Sequence, residues 1–492
     1  MPIMRFTRFT HRLTRFTAVA GFTGLAAVAL VAGVAAQQGP DRAKPPALGP
    51  APSLTLPPIV KRTLTNGLPV WIVEMHKVPL VDVTLLVKSG ASADPAGKIG
   101  VANVTADMLD EGAGTRSALD IADAIAFLGG SLGTGNDWDS SIVRLHLPVA
   151  NLDEGLSVMS DVALRPTFAP AEFDRVKKTR LTGILQGRDN ASTLAALAFA
   201  KVLYGDAHRY GAPIGGTEAS VTAMTAADVK AFHAKVYQPA NAQLIVVGDV
   251  TAASILPKLE QQFGTWKNTG PVPKVTLPPP PPAAPKMIYL VDKPGAAQSQ
   301  IRIGQVGVAR STPDYFTLDV VNTILGGSFT SRLNQNLREV HGYAYGASSS
   351  FSMRRSAGPF TAAAGVQTDK TTESLREFFT ELSNIQELPA ADLERGKNYE
   401  ALGFPQGFET LSGMASQLTM LGVYDLPATY FNDYVPMIQA VTLTTAEAAA
   451  RKYIVPDKFA IVVVGDLSKI EKRIRDANFA PVKILSVDDL IK

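Results

Sequence analysis

Apolar residues recur along this chain with two periods. Short runs from Val70 to Glu74 and from Leu80 to Val87 read as neighbouring strands, and Ser131 to Pro148 reads as a long strand or hairpin. Asp153 to Ala163 and Phe173 to Gln186 carry the 3.6-residue period of helices. Val101, Val104, Thr105 and Met108 are also helically spaced, which places Asn103, Ala106 and Asp107 together on another face. Further on, Leu333 to Val340 reads as a helix stopped near Gly342. A strand follows from Tyr343, with Tyr343 and Tyr345 on one face by alternation. Strands gathered in sequence and separated by helix pairs favour an α+β fold over a doubly wound parallel sheet.

The pattern occurs twice. Tyr237 to Asp249 and Tyr453 to Asp466 each run through a turn and an apolar strand into Gly-Asp. Each is preceded by a helix-start signal of Ser/Thr followed by an acid, beginning at Thr225 in the first case and Thr444 in the second. The chain therefore reads as two tandem homologous domains, residues 59–270 and 286–480, each an antiparallel-rich sheet packed with helices. Residues 271–285 join them and include five consecutive prolines, Pro278 to Pro282. In polyproline geometry such a linker reaches roughly 45 Å.

Charge and composition change the picture mainly at the N-terminus. Residues 1–36 read as a signal peptide: Arg5, Arg8, Arg12 and Arg15 precede an apolar Gly/Ala-rich run, and Val34-Ala35-Ala36 suits a small-residue cleavage site. An uncleaved anchor is the competing reading, but the run is broken by Gly and Thr and is short for a span. Residues 37–58 form a Pro-rich lead-in. Removing the four leader arginines takes the formal net charge from +3 to −1, which disfavours nucleic acid as a partner. With no cysteine anywhere, an exported chain depends on buried core for its stability. The expected location is periplasmic or secreted, with no membrane association after cleavage.

Candidate chemistry centres on residues 100–115, GVANVTADMLDEGAGT. Inverted zinc peptidases carry H-x-x-E-H on such a helix, two imidazoles for the metal and a Glu for the bound water. Here the three places read Asn103, Ala106 and Asp107. An amide is a poor zinc ligand, and alanine cannot act as a base, so the site reads as degenerate with no metal. His76, His146, His208, His233 and His341 stand alone, without a second His three or four residues away. Gly129-Gly-Ser-Leu-Gly133 matches G-x-S-x-G as a string, but it leads from a helix into a strand, the reverse of a nucleophile elbow. Gly326-Gly-Ser328 lacks the spacing and lysine of a phosphate loop and reads as a helix lead-in.

Around the degenerate motif, the order of Ala124–Leu132, Leu164–Phe168, His208–Thr217 and Tyr237–Asn241 resembles the insulinase/pitrilysin/processing-peptidase family over roughly residues 60–470. That resemblance implies a third zinc ligand, a Glu, on the helix near Thr182 and Gly183, yet no Glu occurs from Phe173 to Thr217. It also implies that Leu325 to Tyr345 holds an Arg and a Tyr seven residues apart, which stabilise the tetrahedral intermediate. Arg338 and Tyr345 have that spacing. The family's half-clamshells close around a chamber, and some bacterial members pair a zinc-bearing subunit with one that lacks the motif. The resemblance thus implies a zinc-free peptidase subunit, inactive alone, with zinc in a homologous partner and peptide added to an edge near Ser131 to Leu147. A catalytically inactive scaffold or peptide-binding protein is the alternative.

Overall fold

The computed structural model describes residues 49, 54–272 and 274–491. The signal peptide read at residues 1–36 and most of the lead-in therefore lie outside the described residues. From residue 54 onward the chain is organised around two six-stranded mixed sheets. The first contains β1 (Val60–Thr63), β2 (Pro69–Glu74), β3 (Leu80–Val87), β4 (Ser131–Asn136), β5 (Ser141–Pro148) and β6 (Ala242–Gly248), in the order β1-β2-β6-β3-β5-β4. Strand β6 is apolar throughout except Gln243, and all seven residues are buried, as a central strand covered on both faces requires. Strand β5 alternates buried and half-buried positions, and β4 forms the sheet's edge.

The second sheet repeats this plan. It contains β7 (Met287–Asp292), β8 (Gln298–Val306), β9 (Ala344–Phe351), β10 (Pro359–Gln367), β11 (Ala460–Gly465) and β12 (Val482–Leu485), in the order β12-β7-β11-β8-β10-β9. The parallel β2–β6 pair matches the parallel β7–β11 pair. Antiparallel pairings then step outward to the edge in the same sequence in both sheets. Only the opposite edges differ: β1 precedes its neighbour and runs antiparallel, whereas β12 comes from the chain's other end and runs parallel. The α+β fold read from the sequence is the one observed.

The two sheets share their cores. Helix Ala191–Tyr204 from the first half lies on β8 and β11 of the second sheet, and helix Leu411–Tyr424 from the second half lies on β3 and β6 of the first. Val73, Leu86, Ile245 and Val247 of the first sheet accordingly join the core of the second half. Polar ties reinforce the exchange: Lys88 meets Asp425 at 2.7 Å, and the Tyr204 hydroxyl donates to the Ala357 carbonyl at 3.0 Å. The proline-rich connection is docked, with Leu277 against the apolar cluster formed by Leu194, Ala198 and Val462.

Of the two forms read for Ser131 to Pro148, the hairpin is the one observed, as β4 and β5. Other local expectations change. Thr225 caps its helix in a reciprocal box with Asp228, as read, but the second-half helix Leu443–Tyr453 is capped two residues earlier, by Thr442 with Thr445. Two threonine hydroxyls satisfy the free N–H groups there, so the acid is not needed. Gly326-Gly-Ser328 closes a wide-turn helical segment, Thr323–Gly327, and does not open a helix. Leu333 to Val340 splits into Arg332–Asn334 and a second wide turn, Gln335–Val340.

His233 shows how a lone histidine is used. Its ring stacks on Tyr237 at 4.5 Å, meets Phe168 edge-on, and donates from Nε2 to the Ala163 carbonyl at 2.9 Å. Burial draws its pKa down to about 4. The unfolded chain therefore takes up this proton near pH 6.5 while the folded chain resists until about pH 4. Stability from this group is complete above pH 6.5 and falls by about 2 to 3 kcal/mol as pH drops through that window. Urea melts between pH 7 and 4 should show this loss, and His233→Gln, which keeps a donor but no titration, should remove that part of the slope.

Candidate functional site

Helix Val101–Met108 is short because both ends are fixed by the chain around it. Gly100, at φ 91°, turns the backbone into the helix, and a Cβ there would lie 2.7 Å from the backbone of Gly216. Ahead of the helix the Asp94 carboxylate, fully buried, accepts from the N–H groups of Gly100 at 2.7 Å and Ala102 at 2.9 Å. Arg209 supplies the opposing charge, its Nη2 2.8 Å from the same carboxylate. An acid on the free N–H groups of a helix start is stabilised by them and by the helix dipole.

The helix is buried nearly all round. Ala106 is fully buried, so the open face expected for Asn103, Ala106 and Asp107 is narrower and consists of Asn103 and Asp107, each half-buried, with half-buried Asp110 just past the helix end. Asn103 Nδ2 donates to Asn136 Oδ1 at 2.7 Å, tying the helix to the last residue of the edge strand β4. Asp107 is ion-paired with Arg180, and Glu111, one turn on, with Arg175. Burial pushes the Asp107 carboxyl above its ordinary value, while the Arg180 guanidinium draws it back down. Both arginines come from helix Pro170–Gly187, where the third ligand was sought. Thr182 there is exposed and turns its hydroxyl to the Lys178 carbonyl at 2.9 Å.

A cavity of about 600 Å³ adjoins these pairs, walled by Val176, Ile184, Leu197 and Pro213 and roofed by Leu490. The Arg180 guanidinium lies over Gly215, where any Cβ would be 2.3 Å from its Nη1. The donors here do not fit zinc: one amide, one alanine, and carboxylates already held by guanidinium groups. Among the described residues no group of three or more His, Cys, Asp or Glu is arranged to hold a metal ion. Purified protein dialysed free of chelator should carry well under one zinc per chain by mass spectrometry. One tightly held zinc lost on Asp107→Ala would contradict that assignment.

Arg338 and Tyr345 are brought together at the edge of the second sheet. Arg338 Cζ sits 5.2 Å from the Tyr345 ring centroid and 4.6 Å from that of Phe329. Tyr345 is 86% exposed and Phe329 62%, so the stack stands in solvent and not in a core. The strand begins at Ala344, and the register slips between Ala364 and Val366 of β10, so that Tyr345 and Gly346 face the single residue Gly365. Tyr343 lies just before the strand and stacks on His341 at 4.9 Å beside the core, while Tyr345, next to the buried Ala344, turns outward. A guanidinium beside a phenol offers two kinds of hydrogen-bond donor to an anionic oxygen.

Asp94, Arg209 and Arg180 escaped the sequence reading. Each acts on a partner more than 70 residues away, or, for Asp94, on a helix start it does not adjoin.

Family models match the chain in two places. Residues 70–200 match insulinase (peptidase family M16), and residues 223–399 match the peptidase M16 inactive domain. An uncharacterized zinc protease of Mycobacterium leprae is 28% identical over 301 residues, 58% of this chain and 64% of that protein. One of Mycobacterium bovis is 25% identical over 421 residues, 82% of this chain and 92% of that protein. Among solved structures, a peptidase M16 inactive domain from Pseudomonas fluorescens superposes with a TM-score of 0.77 at 28% identity, over 83% of this chain and 98% of that one. The periplasmic protease PqqL of Escherichia coli superposes with a TM-score of 0.70 at 15% identity, over 88% of this chain but 52% of that one. The first half of PqqL is covered completely. No helix among the described residues is long and apolar enough to cross a membrane.

Proposed function

Because the chain belongs to the insulinase family, peptidase family M16, we propose that it is the zinc-free subunit of an exported, periplasmic insulinase-type peptidase. It completes the chamber and supplies transition-state contacts, while a zinc-bearing homologue hydrolyses the peptide. The observation that carries this reading is a contrast within one chain. Where zinc ligands would stand, Asp107 is held by Arg180, but Arg338 and Tyr345 remain paired and open to solvent.

The fold is consistent with this reading, since 88% of the chain superposes on the whole of the first half of PqqL. Peptide would add to β4, whose outer edge is unpaired in the sheet and whose Gly133 and Gly135 leave room for a backbone. Main-chain hydrogen bonds to such an edge tolerate many sequences.

Reconstitution tests the proposal. The chain should co-purify with a homologue carrying intact H-x-x-E-H and raise its cleavage of an unstructured peptide about a hundredfold, on the order of one lost transition-state donor restored. Unchanged cleavage with and without this chain would remove the subunit role, and persisting association without stimulation would mark it as a scaffold.

A further inference from the structure

Helix Ala191–Tyr204 covers only part of the second sheet. Between it and strands β8, β9 and β10 lies a cavity of about 460 Å³. Strand register sets its floor: Arg302 on β8 stands opposite Ala363 on β10, which stands opposite Ser348 on β9. The next row in the same face is Gly304, Thr361 and Ser350. Ser348, Ser350, Ser352 and Thr361 all line the cavity, and among the described residues none of their hydroxyls is committed to a protein hydrogen bond. Arg354 enters from just beyond β9, its guanidinium 4.3 Å from the Trp138 ring and 4.4 Å from that of Tyr210.

The charge balance of this cavity is incomplete. Arg354 Nε and Nη1 are buried without a hydrogen-bond partner. The acid closest to it in effect, Asp139, accepts instead from the Arg355 N–H at 2.9 Å. Arg302 has no acidic side chain paired with it among the described residues, and burial draws both guanidinium groups below their ordinary values. Two cations on one cavity wall with free donors are costly unless a ligand supplies the opposite charge. The planar fork of arginine fits a carboxylate in particular, and hydroxyl donors beside it complete the oxygen's remaining hydrogen bonds.

We propose that this cavity binds the carboxylate of an acidic side chain carried by a bound peptide, with Arg302 and Arg354 as its cationic partners and the β9 serines at its mouth. A peptide source is favoured over a free anion by two observations. The cavity is many times larger than one carboxylate, and its lining reaches the edge strand β9 through Ser348 and Ser350. A strand added there places every second side chain on the face of Ser348 and Ser350, the row that leads inward to Arg302. The inference rests on the proposed function in taking peptide as the ligand, and adds a second edge, β9, to the β4 edge proposed there.

The test uses the full chain and two fluorescein-labelled peptides, one alternating Glu and Ser, the other Gln and Ser. The Glu peptide should bind at least tenfold more tightly and perturb Trp138 fluorescence. Arg302→Gln should remove that preference, Arg302→Lys should restore part of it, and both variants should melt as the parent does. Equal binding of the two peptides, or equal weakening of both by Arg302→Gln, would overturn the inference. So would free glutarate or phosphate competing as strongly as the Glu peptide, since the site would then serve a small anion. Failure of the proposed function is separable: a Glu preference that persists while the chain gives a zinc-bearing homologue no stimulation removes the peptidase role alone.

Discussion

Arg209→Ala should destabilise the chain by about 3 to 5 kcal/mol, the cost of leaving a buried charge without its partner. Asp94 is fully buried and Arg209 nearly so. The arginine also donates to the carbonyls of Ala212 at 3.0 Å and Ile214 at 3.2 Å, and its guanidinium lies 5.1 Å from the Trp138 ring. Removing it therefore strands the Asp94 carboxylate and loosens the loop that carries Gly215 and Gly216 against Gly100. Arg209→Lys keeps the charge but loses the fork and should recover only part of the loss. Lys258→Ala supplies the contrast: its partner Asp153 is 70% exposed, and the change should cost no more than about 1 kcal/mol. Denaturant midpoints of the three variants decide the matter. A loss below 1 kcal/mol for Arg209→Ala would mean that water reaches Asp94 readily, and the anchoring assigned to this pair would be withdrawn.

The parts of this structure that depend on local period were legible in the sequence. The runs at Val70 and Leu80 became β2 and β3, and Asp153 to Ala163 and Phe173 to Gln186 became helices Leu152–Leu164 and Pro170–Gly187. The repeated Val-Gly-Asp strand pointed to matching sheets because a central strand buried on both faces leaves a continuous apolar run. What could not be read depends on contacts across the chain. Arg180 meets Asp107 across 73 residues, so a sequence search for a third ligand could find its absence but not the cation that took its place. The buried face of Ala106 reflects packing from helices on both sides, which no single helical wheel contains. Likewise the bulge at Tyr345 is one inserted residue, and alternation counted along the sequence carries straight through it. The exchange of helices Ala191–Tyr204 and Leu411–Tyr424 between sheets is equally silent, since either helix would show the same apolar stripe against its own sheet.

In the reconstituted pair, Arg338→Ala should lower kcat about a hundredfold, close to 3 kcal/mol of transition-state stabilisation, with a much smaller effect on peptide binding. Donors aimed at an oxyanion strengthen as charge develops on it, so their loss is felt mainly in turnover. Tyr345→Phe is the sharper experiment because it removes only the hydroxyl and leaves the ring against Arg338. If the phenol donates to the oxyanion, this variant should approach the arginine variant in kcat; if the ring merely positions the guanidinium, turnover should stay near that of the parent. Neither change should cost more than about 0.5 kcal/mol of stability, since Tyr345 is 86% exposed and Arg338 touches solvent beside it. The strand geometry supports this independence: Tyr345 and Gly346 both face outward between the buried Ala344 and Ala347. Large losses in melting temperature with unchanged turnover would make the pair a structural clasp on the sheet edge, and the transition-state role proposed for this subunit would fall with it.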